Sequence, residues 1–198
     1  MKKLILAILL IGLQSYAAKY EVDKAHSNVG FKINHMGFSK VNGNFKDYTA
    51  SFEFDSKTGQ LTNVDAKIDI TSINTNEPDR DKHLKSPDFF GAVDKDGKTV
   101  ESKKYMTFKS TKVDVANNKP TKVHGKLTMN GVTKDVTLDV EYKGEGKDPW
   151  GNSKLGFEAT TKVNRQDYGL KYNKKLPGGD MLIGDEVTIS IEGEAKKL

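Results

Sequence analysis

The stretch VHGKLTMNGVTKDVTLDVEY, residues 123–142, decides the fold class. Apolar residues alternate with polar ones on both sides of Asn130-Gly131, which is typical of two strands that each bury one face. Asn-Gly between two such runs is a strong signal for a tight two-residue turn, because both residues accept a positive φ. The stretch therefore predicts an antiparallel β-hairpin.

The same period-two alternation recurs along the rest of the chain. Val29, Phe31 and Ile33 alternate with polar or small neighbours, for example. The pattern predicts eight strands, near residues 20–34, 40–54, 61–73, 105–115, 120–130, 133–142, 154–165 and 185–196. Many one-faced strands joined by turns fit a sandwich or an up-and-down barrel, and we favour an all-β, eight-stranded antiparallel barrel.

One segment breaks the alternation. Asn76 is a good N-cap, Pro78 suits the first helical turn, and acidic residues follow where the helix dipole favours them. We therefore predict one short helix from Asn76 to about Lys85, ended by Pro87. The adjacent aromatics Phe89 and Phe90 follow it, and they either plug one end of the core or contact a ligand.

The N-terminus has the pattern of an export signal. Lys2 and Lys3 precede the apolar run from Leu4 to Leu13, and small residues at Ser15 and Ala17 fit a signal peptidase site. The run is far shorter than the ~20 residues that span a bilayer, so a retained anchor is the weaker alternative. We predict a signal peptide over residues 1–17, cleavage after Ala17, a single domain over residues 18–198, and a periplasmic protein with no stable membrane span.

Composition excludes several classes of function. Without the leader, the chain has 30 basic and 27 acidic residues, so its net charge is small. The lysines alternate with aspartates instead of clustering with aromatic residues, so no nucleic-acid partner is expected. The chain has no cysteine, which excludes disulfides, thiolate metal ligands and a C-x-x-C-H haem site. No cofactor is expected.

Strand direction predicts which end of the barrel opens. The odd-numbered predicted strands all end at one rim. That rim has the longer connections: 35–39, the helix-bearing insertion 74–104, the turn at 130–131, and 166–184. We expect this rim to be the mouth of an internal cavity.

Two polar residues are predicted to face the interior at that mouth. Continuing the alternation places His35 and Arg165 inward at the ends of their strands. There they could bind the head group of an amphiphile whose tail contacts Phe31, Phe108 and Phe157. In the alternative, Arg165 forms a structural ion pair with Asp81 or Asp167 and His35 has no ligand role. The lysines 171, 174 and 175 could attract phosphate, or they could simply be solvated.

Neither an enzyme nor a metal site is indicated. Asp23, His26 and Ser27 resemble a triad, but neighbours on a strand point to opposite faces, so His26 is poorly placed to orient Ser27. The four histidines show no metal-ligand spacing, and the segment Asp94–Gly97 lacks the later ligands of a calcium loop.

An ordered set of short motifs carries a family resemblance. It begins with Tyr20, Asp23, His26-Ser27, Phe31, His35, Gly43 and Phe45, continues through residues 72–75, 81, 83–86, 88–90 and 108–110, and ends with residues 125–128, 131–133, 156–157 and 164–170. The set resembles the YceI-like family of polyisoprenoid-binding proteins across essentially the whole chain after the leader. A Lys104-Tyr105-Met106 sequence departs from the tyrosine-proline pair that the family often has at that strand entry.

The resemblance implies a lipocalin-like barrel that is exported in bacteria and holds an isoprenoid or fatty-acyl chain. We predict non-catalytic binding of such a lipid; the alternative is a scaffold that docks an envelope partner such as a membrane electron carrier. A homodimer that covers the mouth is possible. The predicted ligand contacts are Phe31, Ile33, His35, Phe38, Phe89, Phe90, Phe108, Leu127, Met129, Phe157, Arg165, Tyr168 and Leu170.

Overall fold

The computed structural model describes residues 17–198, and the rest of the predicted signal peptide lies outside them. The strands are β1 (Ala18–His35), β2 (Ser39–Phe45), β3 (Tyr48–Asp55), β4 (Gln60–Asp69), β5 (Ile73–Asn74), β6 (Tyr105–Ala116), β7 (Lys119–Met129), β8 (Val132–Lys147), β9 (Ser153–Asn164) and β10 (Ile183–Lys197). The α-helix is α1 (Pro78–Lys85), and 3₁₀ segments cover Ile70–Ser72, Glu101–Lys103 and Arg165–Tyr168. Within residues 17–198, no helix is long and apolar enough to cross a membrane.

The ten strands occupy eight positions around a closed barrel. β2 pairs with the second half of β1 and β3 with its first half, so β2 and β3 share one position. β4 and β5 share the next, because β4 pairs with β3 and β5 with β2. β6 to β10 follow in chain order, and antiparallel pairing of β10 with β1 closes the ring. The predicted eight-stranded antiparallel barrel is confirmed.

Two of the predicted strands are interrupted at the same height. The predicted strand 40–54 breaks at Lys46 and Asp47, and the predicted strand 61–73 leaves the sheet after Asp69. The Asp69 carboxylate accepts hydrogen bonds from the Thr71 backbone N–H and hydroxyl, which caps a 3₁₀ turn in place of further strand. Lys46 and Asp47 then donate their N–H groups to Ser72, so both strands bend together.

The helix begins later than the sequence predicts. Asn76 has a φ of 60°, in the left-handed region, and Glu77 is the N-cap instead. The Glu77 carboxylate accepts from the N–H groups of Asp79 and Arg80 at 3.2 and 2.6 Å. The end of α1 at Lys85, just before Pro87, agrees with the prediction.

The longer connections lie at one rim, as predicted. Residues 36–38, α1, the Asn130-Gly131 turn and residues 165–182 all lie at this end. Asn130 and Gly131 both have a positive φ, and β7 pairs with β8 from Met129 opposite Val132. The Asn130 side chain donates to the Tyr168 carbonyl, which ties the tight turn to the connection between β9 and β10. We call this end of the barrel the mouth.

An ionic cluster fastens the seam where β1 and β10 close the barrel. The pairing is irregular between Val22 and Ser27, and the Asp23 carboxylate fills the gap by accepting from His26 Nδ1 at 3.0 Å and from Lys154 Nζ. Lys154 and then His26 hold the pKa of Asp23 well below its usual range. Gly193 is needed opposite, because a Cβ there would lie 2.1 Å from Ser27 Cβ.

We expect Asp23→Asn to lower the free energy of unfolding at neutral pH by about 1 kcal/mol, because the Lys154 ion pair is lost. A carboxyl group whose pKa is depressed by folding adds stability above its unfolded pKa of about 3.9 and loses it as the pH falls through the folded pKa. The difference between the proteins should therefore shrink in acid. Urea denaturation over a pH series measures it, and a difference that stays constant with pH contradicts this role.

Candidate ligand cavity

The barrel interior contains two adjacent cavities. The upper chamber, of about 270 Å³, lies at the mouth between α1, the ends of β1 and β9, and residues 170–183. The lower chamber, of about 180 Å³, lies deeper between the sheet walls. Together they fall within the roughly 300–1,000 Å³ typical of small-molecule sites.

A ring of apolar side chains separates the chambers. Phe31, Phe45, Met106 and Ile189 line both of them. The Phe31 and Phe45 rings are 5.7 Å apart between centroids. Gly43 lets the Phe31 ring lie against β2, because a Cβ there would be 2.4 Å from Phe31 Cζ. We call these four side chains the constriction, because they line the boundary between the two cavities.

The lower chamber is almost entirely apolar. Phe108, Leu127 and Phe157 contribute to its lining, as does the small side chain of Ala159 on β9. The Phe108 ring lies against β7 over Gly125, where a Cβ would be 2.4 Å from the ring. With so few polar groups in its walls, this space suits a hydrocarbon chain.

The upper chamber carries the polar groups. His35 from β1 and Arg80 and His83 from α1 line it. Arg80 donates through Nε to Thr75 Oγ1 at 2.8 Å and through Nη2 to the Thr75 carbonyl at 2.9 Å. Its Nη1 has no hydrogen-bond partner within residues 17–198, so a guanidinium edge remains available to a ligand.

Three rings pack together at the entrance. The centroid of the His83 ring lies 5.0 Å from that of Phe89 and 4.8 Å from that of Tyr172, edge to face in both cases. His83 Nε2 also lies 3.0 Å from Asp88 Oδ2. This cluster joins α1 to the loop after β9 and forms one side of the entrance.

Arg165 has a structural role, which is the alternative that the sequence left open. Its side chain is only 3% exposed, and its guanidinium donates to the carbonyls of Gly184, Leu170 and Tyr172 and to Asp185. Four of its five N–H donors are thus used within the chain. Burial lowers its pKa, and Asp185 acts in the opposite direction. The structural ion pair of the alternative is present, but its acidic partner is Asp185 and not Asp81 or Asp167.

Most of the predicted ligand contacts line one of the chambers. Phe31, Ile33, His35, Phe89, Phe90, Met129, Arg165 and Leu170 line the upper one, and Phe31, Phe108, Leu127 and Phe157 the lower one. Their contact with a ligand stays a prediction.

Two of the predicted contacts lie outside both chambers. Phe38 is 81% exposed on the turn between β1 and β2. Tyr168 is buried but lines neither chamber, and its burial, followed by the charge of Asp167, raises its pKa to about 12. Both residues lie beyond the ends of regular strands, where alternation does not apply, and their contact with a ligand stays a prediction.

Two residues that line the upper chamber, Arg80 and Tyr172, are not indicated by any pattern in the sequence. Arg80 lies in the helix that was correctly predicted, but α1 has no apolar stripe that would show which side faces the barrel. Tyr172 lies in the loop after β9, where no periodicity applies. Both residues line the upper chamber because α1 and the loop after β9 lie together at the mouth, which only the folded structure shows.

The acidic and histidine residues at the seam do not form a favourable metal site. Asp23, His26 and Glu194 could bring three ligand atoms together. However, the Lys154 ammonium lies on Asp23 and 3.4 Å from Glu194, where it competes with any cation. Ser27 Oγ donates to the Asp23 carbonyl, so its hydroxyl is not directed at His26.

Comparison with known proteins agrees with this architecture. The model of the YceI-like domain family matches residues 20–195, which include every cavity-lining residue. The chain belongs to the YceI-like family. A UPF0312 protein of Photorhabdus laumondii is 41% identical over 195 residues, covering 96% of this chain and 94% of that protein.

Solved structures of YceI-like proteins have the same fold. A Campylobacter jejuni YceI protein, 35% identical, superimposes with a TM-score of 0.66 over 89% of this chain and 96% of its own. A Saccharophagus degradans domain described as polyisoprenoid binding is 14% identical, with a TM-score of 0.59 over 92% of this chain and 99% of its own. At that identity the likeness concerns the fold alone.

Proposed function

We propose that this YceI-like protein binds an amphiphilic lipid, a polyisoprenoid or a long-chain fatty-acyl compound, in the bacterial periplasm and catalyses no reaction on it. The chain of the lipid occupies both chambers and its head group stays at the mouth. One observation carries the proposal: two adjacent, mainly apolar cavities lie inside the barrel, and the charged and histidine side chains line only the one at the mouth. The polyisoprenoid binding named for the structural relative supports the same class of ligand.

The polar groups of the upper chamber favour an anionic or amide head group. Arg80 offers free N–H donors, and His35 and His83 offer ring nitrogens. Arg165 stabilises this end of the chamber by donating hydrogen bonds to the carbonyls of Leu170 and Tyr172, which fixes the loop that carries them. The sequence predicts that Arg165 contacts the head group. We propose Arg80 for this contact instead, because Arg165 uses most of its donors within the chain.

A docking scaffold without a ligand fits the barrel less well. Such a protein needs no internal space, and filling the interior with side chains would make it more stable. Here large apolar side chains surround a cavity instead of filling it, and Gly43 and Gly125 hold two phenylalanine rings against the wall.

Native mass spectrometry of the protein purified from a bacterial envelope tests the proposal. We expect a bound species at near-stoichiometric occupancy, and denaturation should release a molecule of isoprenoid or acyl mass. An empty protein that also fails to take up added long-chain lipids contradicts lipid binding and favours the docking scaffold.

Arg80→Ala is expected to weaken the binding of a long-chain fatty acid about tenfold, because one charged hydrogen-bonding group is lost at the head group. Lys82→Ala on the same helix is the matched control, since Lys82 is exposed and does not line the cavity. Competition with a fluorescent fatty acid measures both affinities. Equal affinities for Arg80→Ala and Lys82→Ala contradict the head-group role.

A further inference from the structure

An exposed apolar and basic surface lies beside the cavity opening. It consists of the turn 36–38 and the hairpin 171–182, which we call the docking rim. The Met36 N–H donates to the Leu182 carbonyl at 2.9 Å, so the turn and the hairpin form one surface. Because His35 and Ile183 pair just below it, the docking rim continues the wall of the upper chamber.

Two large apolar side chains of the docking rim are exposed to solvent. Phe38 is 81% exposed at the tip of the turn, and Met181 is 50% exposed in the hairpin. Neither lines a chamber, so their exposure is not explained by ligand contact inside the barrel. Exposed apolar side chains grouped at the rim of a binding site are typical of a surface that contacts a partner.

The docking rim is also basic. Its hairpin carries the exposed Lys171, Lys174 and Lys175 and a single acid, Asp180. Within residues 17–198 none of these three lysines has a carboxylate within 4 Å, whereas wall lysines such as Lys126 and Lys162 form cross-strand ion pairs. Unpaired ammonium groups beside apolar side chains complement the negative surface of an anionic bilayer.

We propose that the docking rim binds the surface of a membrane containing anionic phospholipid. Phe38 and Met181 enter the interface, and the hairpin lysines contact phosphate groups. The proposal rests on the proposed lipid binding, because it places the open chamber against the bilayer, where a lipid chain can enter without crossing water.

The chain contains matched controls at its opposite end. Trp150 is 83% exposed in the turn between β8 and β9, at the end of the barrel opposite the mouth. Lys57, in the turn between β3 and β4, and Lys119, the first residue of β7, are exposed at the same end, also without an ion pair in the described part of the chain. Trp150 is the one tryptophan of the sequence, so its fluorescence reports on that end alone.

Vesicle co-sedimentation provides the test. We expect the protein to sediment with vesicles of equimolar phosphatidylcholine and phosphatidylglycerol, much less with phosphatidylcholine alone, and less as salt increases. The double variants Phe38→Ser/Met181→Ser and Lys174→Glu/Lys175→Glu should each bind about tenfold more weakly. Trp150→Ser and Lys57→Glu/Lys119→Glu should bind like the parent protein.

A fluorescent label gives the orientation directly. Since the sequence has no cysteine, Phe38→Cys accepts a single polarity-sensitive dye. Its emission should shift to the blue on anionic vesicles, while the emission of Trp150 stays unchanged. A shift at Trp150 without one at position 38 overturns the proposal.

Uptake of a fluorescent fatty acid, measured in parallel, reports on ligand binding in the cavity and not on membrane binding by the docking rim. Normal uptake without sedimentation overturns membrane docking and leaves lipid binding intact; sedimentation without uptake overturns lipid binding. If Phe38→Ser/Met181→Ser abolishes a dimer of the parent protein and no vesicle binding is found, the docking rim binds a second copy and the membrane proposal is wrong.

Discussion

Arg165→Ala is expected to lower the free energy of unfolding by about 3 to 5 kcal/mol, the range seen when one member of a buried charged network is removed. The guanidinium is 3% exposed and donates to three backbone carbonyls and to Asp185. Removing it leaves buried acceptors without donors, and each of these is destabilising. Urea denaturation measures the global effect.

The loss should begin at the mouth. Leu170, Tyr172 and Gly184 are all bonded to Arg165, so hydrogen exchange should increase first in residues 169–184. Arg165→Lys should rescue little, because one ammonium cannot reproduce a planar fork of donors. Lys171→Ala, in the same loop but exposed, is the control. A loss in Arg165→Ala below about 1 kcal/mol contradicts the structural role.

The barrel could be predicted because its strands and tight turns are determined by residues close together in the sequence. Alternation in residues such as Val136, Leu138 and Val140 and the Asn130-Gly131 turn fix strands and hairpins within a few residues. The break at Lys46 and Asp47 could not be predicted, because no glycine or proline marks it. It depends on hydrogen bonds to Ser72, about 25 positions away, which only the assembled sheet creates.

The apolar residues that line the cavity could be predicted from the sequence, but the partners and positions of its polar side chains could not. Alternation places Phe108, Leu127 and Phe157 on the inner face, where the structure has them. Alternation also predicts correctly that Arg165 points inward. The carbonyl groups that accept its hydrogen bonds lie largely in the loop after β9, where no periodicity reveals them. Arg80 reaches the cavity through the position of α1 over the mouth, which depends on packing across the barrel.

Ala159→Phe is expected to reduce the affinity for a long-chain fatty acid such as oleate by about a hundredfold. Ala159 is buried on β9 and lines the lower chamber, so a benzyl group there occupies the space intended for the end of the chain. Excluding about four methylenes at ~0.8 kcal/mol each removes about 3 kcal/mol of binding free energy. Binding of octanoate, which is short enough for the upper chamber, should change little.

The selectivity between the two acids separates this effect from general damage to the fold. A misfolded barrel loses both ligands, whereas a filled lower chamber loses only the longer one. Thr160→Phe, on the same strand but on the exposed face, is the matched control and should bind both acids like the parent protein. Titration calorimetry with oleate and octanoate on the three proteins decides the matter. Unchanged oleate binding in a folded Ala159→Phe protein means that the chain does not pass the constriction formed by Phe31 and Phe45.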